Sequence, residues 1–415
     1  MTYVFISYSK QNRAYVRRLS DHLEATGFDV WMDSALEPSE DWWKTIVQAI
    51  KNCAAFIVVM TPESDNSRWV QRELTLADEL HKPMFPLLLD GDANLVNSDN
   101  WSIFIRTQYT DVRGDLLPGD EFLNRLGKSA QRQAQSGGNI APASANEAQQ
   151  LVESLNNPKL TPKERAEIGK RLALIGDPRP GVGLREDGLP DIEWVHITDG
   201  ESMQGFVAVY PVTWLQFQSF VDDPQGYTNP EWWTFSEDSK AWRLAHSAPE
   251  QSSITFANHP RVNVTWYEAS AFCIWLNTRL GLEGLHISLV PEELWYKAGV
   301  SHDQPNVYPW GNNFDPLRCN SNRSGINQLC AVGLFPQGIS PMGIHDLSGN
   351  VWEWCANEYD NPAGGLALQG NKRRAMRGGA WNYDPQDLRL DNRSRDLPGN
   401  SSFDWGFRLA KYEFK

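Results

Sequence analysis

The sequence predicts an α/β doubly wound parallel sheet followed by an irregular α+β domain. Three observations predict this. Up to residue 126, short apolar runs alternate with segments of helical spacing. From Gly127 to Gln150 the composition falls to mostly Gly, Ser, Ala, Gln and Asn. From Asp191 onward strand-like pieces are short, turns are rich in Gly, Asn and Pro, and most of the eighteen tryptophans are found there. At 415 residues the chain has room for two or three domains, each with its own core.

The elements follow in order. Tyr3-Val-Phe-Ile-Ser7 is a short apolar run of the kind that forms a buried parallel strand. Ala14 to Thr26 carries Val16, Leu19 and Leu23 at helical spacing, and Gly27 closes it. Phe28 to Trp31 is a second strand, Trp43 to Cys53 a helix, and Ala55 to Met60 a fully apolar third strand. Val70 to Leu80 is a helix, and Met84 to Leu89 a fourth strand. Alternation of this kind implies a parallel sheet covered on both faces. This gives a first domain over 1–126, a flexible linker over 127–150, a short helical connector over 151–184 and a final domain over 185–415. Thr161-Pro-Lys-Glu164 is a capping box that starts the connector's second helix. In the final domain, Trp214 to Val221 and Tyr267 to Leu280 have clear helical spacing.

Composition excludes several classes. A net charge of −14 argues against a nucleic-acid partner, which needs a basic face for phosphates. Lys372-Arg373-Arg374, the one notable basic cluster, reads as a solvated loop. The five cysteines are scattered and lack CxxC spacing, so structural zinc is not expected and a reducing compartment is. No run reaches membrane-spanning length and none reads as a signal peptide. A cytoplasmic protein with no membrane partner is expected.

Phe5-Ile-Ser-Tyr-Ser-Lys10, Gly27-Phe-Asp-Val-Trp-Met-Asp33 and Trp69-Val-Gln-Arg-Glu73-Leu resemble the landmarks of the Toll/interleukin-1 receptor (TIR) domain, in its order and over about 120 residues. Members that cleave NAD+ carry a glutamate where Glu73 stands, so the resemblance implies Glu73 as catalytic residue and NAD+ as substrate. The chemistry suits a carboxylate. Breaking the nicotinamide–ribose bond develops an oxocarbenium-like sugar that a nearby negative charge stabilises. Ser7, Tyr8, Lys10 and Trp69 are the expected binding residues, with Trp69 one helical turn before Glu73 and able to pack on a flat base. The alternative is that Glu73 is a first-turn acid favoured by the helix dipole and Trp69 is core.

His259-Pro-Arg-Val-Asn-Val-Thr-Trp266, Pro309-Trp-Gly-Asn312, Gly343-Ile-His-Asp-Leu-Ser-Gly-Asn-Val-Trp-Glu-Trp354 and the frame Arg377-Gly-Gly, Trp381, Leu388-Arg, Arg393-x-Arg and Gly406-Phe-Arg resemble the formylglycine-generating-enzyme family, a variant of the C-type lectin fold. Tyr383 and Leu388 stand where its reactive cysteines would be, so neither copper binding nor oxidation is expected. The resemblance implies a structural Ca2+ held by the carboxylates of Asp346 and Glu353 and the carbonyls of Gly349 and Val351. The alternative is that Asp346 bonds turn amides and Glu353 pairs with an arginine. The insets within 377–408 resemble the diversified region of retroelement-mutated ligand-binding proteins. The implied variable residues are Tyr383, Asp384, Asp387, Leu390, Ser394, Asp396, Leu397, Ser401, Ser402, Phe403, Asp404 and Trp405. Aromatics with small polar residues on a rigid frame are also the composition of a paratope.

Together these readings imply a bacterial sensor–effector. The lectin-like domain binds a variable ligand, with protein favoured, and the TIR domain self-associates or meets a partner TIR protein and cleaves NAD+. The alternative is a non-catalytic adaptor whose TIR domain serves only protein–protein interaction.

Overall fold

A computed structural model describes residues 3–32, 42–80, 82–92, 95, 101, 109–135, 145–197, 205–250, 256–281, 285–300, 306–362 and 368–413. The chain divides into two compact units, Met1–Pro142 and Ala143–Lys415.

The first unit alternates strand and helix: β1 (Tyr3–Ser7), α1 (Arg13–Ala25), β2 (Asp29–Met32), α2 (Trp42–Asn52), β3 (Ala55–Met60), α3 (Pro62–Asp65), α4 (Arg68–Glu79), β4 (Met84–Leu88), β5 (Thr110–Asp111) and α5 (Asp120–Gln135). The strands lie parallel in the order β2-β1-β3-β4-β5. Every residue of β3 is buried, as its unbroken apolar run requires. Val16, Leu19 and Leu23 of α1 bury against Ile6, Ile57 and Leu87.

The expected linker is shorter than its composition suggested. Phe122 and Leu126 anchor the start of α5 in this core, and the helix runs on to Gln135. Lys, Ala, Gln and Arg are good helix formers, and an anchored helix propagates cheaply. Residues 136–144 of that stretch lie outside the described residues.

In the second unit, α6 (Ala145–Ser154) and α7 (Pro162–Ile175) come first. The Thr161–Glu164 capping box forms. These helices are not a spacer: Ala148, Leu155 and Leu172 share a cluster with Leu334 and Phe335. Arg165, 2% exposed, donates to the carbonyls of Leu155, Asn157 and Leu334. Two four-stranded sheets follow. One orders β6 (Trp194–Ile197), β7 (Gly205–Ala208), β13 (Leu409–Glu413) and β8 (Leu285–Leu289). The other orders β11 (Ser394–Asp396), β10 (Arg374–Arg377), β9 (Trp352–Glu358) and β12 (Trp405–Phe407). Around them lie α8 (Trp214–Asp222), α9 (Glu237–Ala245), α10 (Trp266–Leu280) and α11 (Glu292–Gly299).

Aromatic residues, Phe217, Phe220, Trp233, Trp266, Phe272, Trp275 and Phe407 among them, build the main core. Arg374 corrects the reading of the basic cluster. Lys372 and Arg373 are exposed, but Arg374 is fully buried with its guanidinium 4.1 Å from the Trp266 ring centre. Arg374 opens β10, whose four residues are all buried, whereas Lys372 and Arg373 precede the strand.

Candidate functional site

The parallel sheet reverses its winding between β1 and β3, the place where such folds bind ligands beyond the strand ends. Ser7 is the last residue of β1 and pairs in register with Val58 of β3. Its hydroxyl donates to Oε2 of Glu73 at 2.5 Å, and both residues are buried. Glu73 lies in the second turn of α4, beyond the first-turn position that the dipole reading required. The helix starts at Arg68 because the Ser67 hydroxyl accepts the N–H of Val70. Trp69 is half-buried one turn before Glu73, Tyr8 is half-buried against the sheet core, and Lys10 is exposed at the start of a short 3-10 turn. The structure joins Ser7 to Glu73 directly, with Tyr8 and Lys10 following from the end of β1 and Trp69 one turn before Glu73 on α4.

At the other end of the chain, the frame residues explain their own identity. A side chain at Gly379 (φ +71°) would meet the Asp387 carbonyl and Leu388 at 2.9 Å, so only glycine fits. Arg377 and Arg393 converge on Glu292, the first residue of α11. Trp381 packs against Val262, Leu329 and Val351.

The insets divide three ways. Leu397 and Phe403 are exposed, at 47% and 53%. Phe403 lies 6.1 Å from the Trp381 ring, and Ser401 bonds Glu250. Tyr383 stands edge-on to Trp352, and Asp384 pairs with Arg323 at 3.1 Å. Asp384 lines an open recess of about 610 Å³ with Tyr308, Asn312, Arg323, Gln386 and Arg389. Asp387, Ser394, Asp396, Ser402 and Trp405 are half-buried. Leu390 and Asp404 correct the expectation, since neither reaches the surface. Leu390 packs in the cluster of Trp295 and Ile344, and Asp404 accepts from the Ser402 hydroxyl at 2.6 Å. The set is also widely spread. Ser394 and Asp396 are on β11 and Trp405 on β12, at opposite edges of one sheet, roughly 14 Å apart at three strand spacings. Tyr308 and Arg323 had no local signal, because the recess is made by tertiary contact.

Residues 199–413 match the family of the sulfatase-modifying factor enzyme 1-like domain, and residues 4–126 match the TIR domain. The first match spans more than half of the chain. This chain belongs to the sulfatase-modifying factor enzyme 1-like family and carries an N-terminal TIR domain. It is 34% identical over 167 residues to the inactive Cα-formylglycine-generating enzyme 2 of Mus musculus, covering 36% of this chain and 48% of that protein. It is 31% identical over 166 residues to the serine/threonine-protein kinase Pkn1 of Chlamydia trachomatis, covering 38% and 25%. Against these relatives the chain spans a quarter to a half of their length. Among solved structures, Treponema denticola variable protein 1 aligns with 19% identity and a TM-score of 0.38, covering 52% of this chain and 90% of that one.

The domain of the sulfatase-modifying factor type has the expected irregular α+β architecture, but not the family's thiol pair. Tyr383 and Leu388 both pack at the cluster of Tyr308 and Cys319. Burial pushes the Cys319 thiol up to about 12, and all five cysteines are free and buried. The calcium donor set does not fit as arranged. Oε2 of Glu353 accepts from Trp295 Nε1 at 2.7 Å and Arg408 Nε at 2.9 Å, and Oε1 from Arg408 Nη2 at 2.7 Å. Gly349 spends its carbonyl on the Val351 N–H, and Asp346 accepts from the Gly333 N–H. Burial raises Asp346 to about 6. Arg408 thus supplies the positive charge that an ion would bring to Glu353. Among the described residues no group of three metal-binding side chains converges, and no helix is long and apolar enough to cross a membrane.

Proposed function

We propose that this protein is a sensor–effector. Its lectin-like domain binds a ligand, with a protein surface as the favoured class, and its TIR domain then self-associates and cleaves NAD+. The observation that carries the catalytic half is the Ser7–Glu73 hydrogen bond at the sheet's reversal point. It sets a carboxylate where a ribose would lie beyond the strand ends. A sugar hydroxyl would take the place of the Ser7 hydroxyl, and Glu73 would stabilise the positive sugar that forms as nicotinamide leaves. Trp69 and Tyr8 would flank the base, and Lys10 would meet a phosphate. Support for the sensing half is the exposure of Phe403 and Leu397 on a glycine- and arginine-fixed frame. Five reduced cysteines favour a cytosolic setting.

Nicotinamide release from the purified full chain tests this. Turnover is expected to rise faster than linearly with protein concentration, because assembly precedes chemistry. Glu73→Gln keeps size, removes charge and should abolish release while the melting temperature holds. One observation favours the adaptor reading: Glu73 is only 7% exposed and could serve as an internal tie between α4 and β1. Wild-type protein that releases no nicotinamide at any concentration, with Glu73→Gln destabilised, would establish that second reading.

A further inference from the structure

An apolar recess of about 140 Å³ lies between α10 and β8. None of its lining residues belongs to the 377–408 region. One helical stripe of α10 forms a wall, Ser270, Cys273, Ile274 and Asn277 at spacings of three and four. Ile287, Leu289 and Ala356 face it, and exposed His286 stands at the rim.

The polar atoms around the recess are nearly all committed elsewhere. Trp266 Nε1 donates to the Cys355 carbonyl. The Asn277 amide exchanges two bonds with the Ile287 backbone, at 2.6 and 2.7 Å. The Ser288 hydroxyl donates to the Leu289 carbonyl and lies 3.0 Å from the Tyr412 hydroxyl. Ser270 is the exception. It is 3% exposed, its Oγ makes no hydrogen bond, and it lines the recess. A buried hydroxyl without a partner is costly and rare, and a bound group is one of the few things that accounts for it. Here the neighbours are apolar and the space is limited. A cavity of about 150 Å³ lined by aliphatic and aromatic side chains holds benzene.

We infer that this recess is a binding site for a small apolar ring carrying a single hydroxyl, with Ser270 as its only hydrogen-bonding contact. The ring takes the volume between Ile274, Ile287, Leu289 and Ala356, and its oxygen meets Ser270 Oγ. Cys273 stays a spectator, because burial raises its thiol well above the usual range and keeps it protonated.

Phenol and toluene are matched probes of the same shape, and isothermal titration of the full chain reads their affinities. Phenol is expected to bind saturably and more tightly than toluene. Ser270→Ala removes one oxygen from an unpaired site and should not harm folding. It should weaken phenol about tenfold and leave toluene unchanged or tighter. Cys273→Leu narrows the recess and should reduce both. If Cys273→Leu fails to fold, the Ser270→Ala comparison still decides. No saturable phenol binding to wild type, or phenol affinity that Ser270→Ala leaves unchanged, would overturn the site. Neither result bears on NAD+ cleavage, which is read separately.

Discussion

Glu292 shows how single residues hold the irregular end of this chain together. Its carboxylate takes Arg377 at 2.8 Å and Arg393 at 2.5 and 2.8 Å, with the glutamate side chain 2% exposed. Its own N–H donates to Asn357. Removing that charge strands two guanidiniums in a largely dry place. Glu292→Gln is therefore expected to cost about 3–5 kcal/mol, read by urea unfolding. A loss under about 1 kcal/mol would mean water reaches the pair. Arg389 is the contrast. As part of the frame it was expected to support the insets, yet it is exposed and its guanidinium, among the described residues, bonds only Asp391, two residues on. Such a pair is worth under about 1 kcal/mol, and Arg389→Ala should leave the same unfolding curve nearly unmoved. The spaced arginines were visible in the sequence. Which of them is structural was not, because the deciding partner, Glu292, is distant in sequence and no spacing announces it.

At the scale of elements, periodicity was legible wherever an element buries one face. β1, α1 and β3 stand within a residue or so of their expected bounds, and Thr161 caps its helix as expected. It was not legible where contact decides. Leu390 and Leu397 look alike in the inset sequence, but the first packs against Gly299 and the second is exposed. Diversity is tolerated only at positions of the second kind. Leu397→Asn together with Phe403→Asn should shift the unfolding free energy by less than about 1 kcal/mol. Leu390→Asn opens a core and buries an amide, and should cost about 2–5 kcal/mol. Equal melting of the two variants would remove the distinction between frame and face. The Ser7–Glu73 pair was half legible: the family pattern named both residues, while their contact depends on how α4 packs on β1.

For the whole molecule, the second unit carries an acid sensitivity that its buried histidines impose. His259 is fully enclosed, 3.1 Å from the Asn258 carboxamide oxygen, and burial lowers its pKa to about 3. The folded unit therefore keeps it neutral, while the unfolded chain protonates it near 6.5. The unfolded state binds the extra proton, so stability is complete above about 6.5 and falls as pH drops towards 3. The slope is about 1.4 kcal/mol per pH unit for one such histidine. Asp346 and Glu268 run the other way, since burial raises both and favours their protonated forms in the fold. The total pH curve therefore masks the histidine, and a difference between two proteins isolates it. His259→Gln keeps a polar group beside Asn258 without a titrating ring. Whatever it costs at pH 7, wild type should lose ground to it by roughly 2–3 kcal/mol between pH 6.5 and 4.5, in tryptophan-monitored denaturation of the full chain. A wild-type-minus-variant difference that stays level across that window would mean that His259 is hydrated in solution and that this corner of the second unit is open.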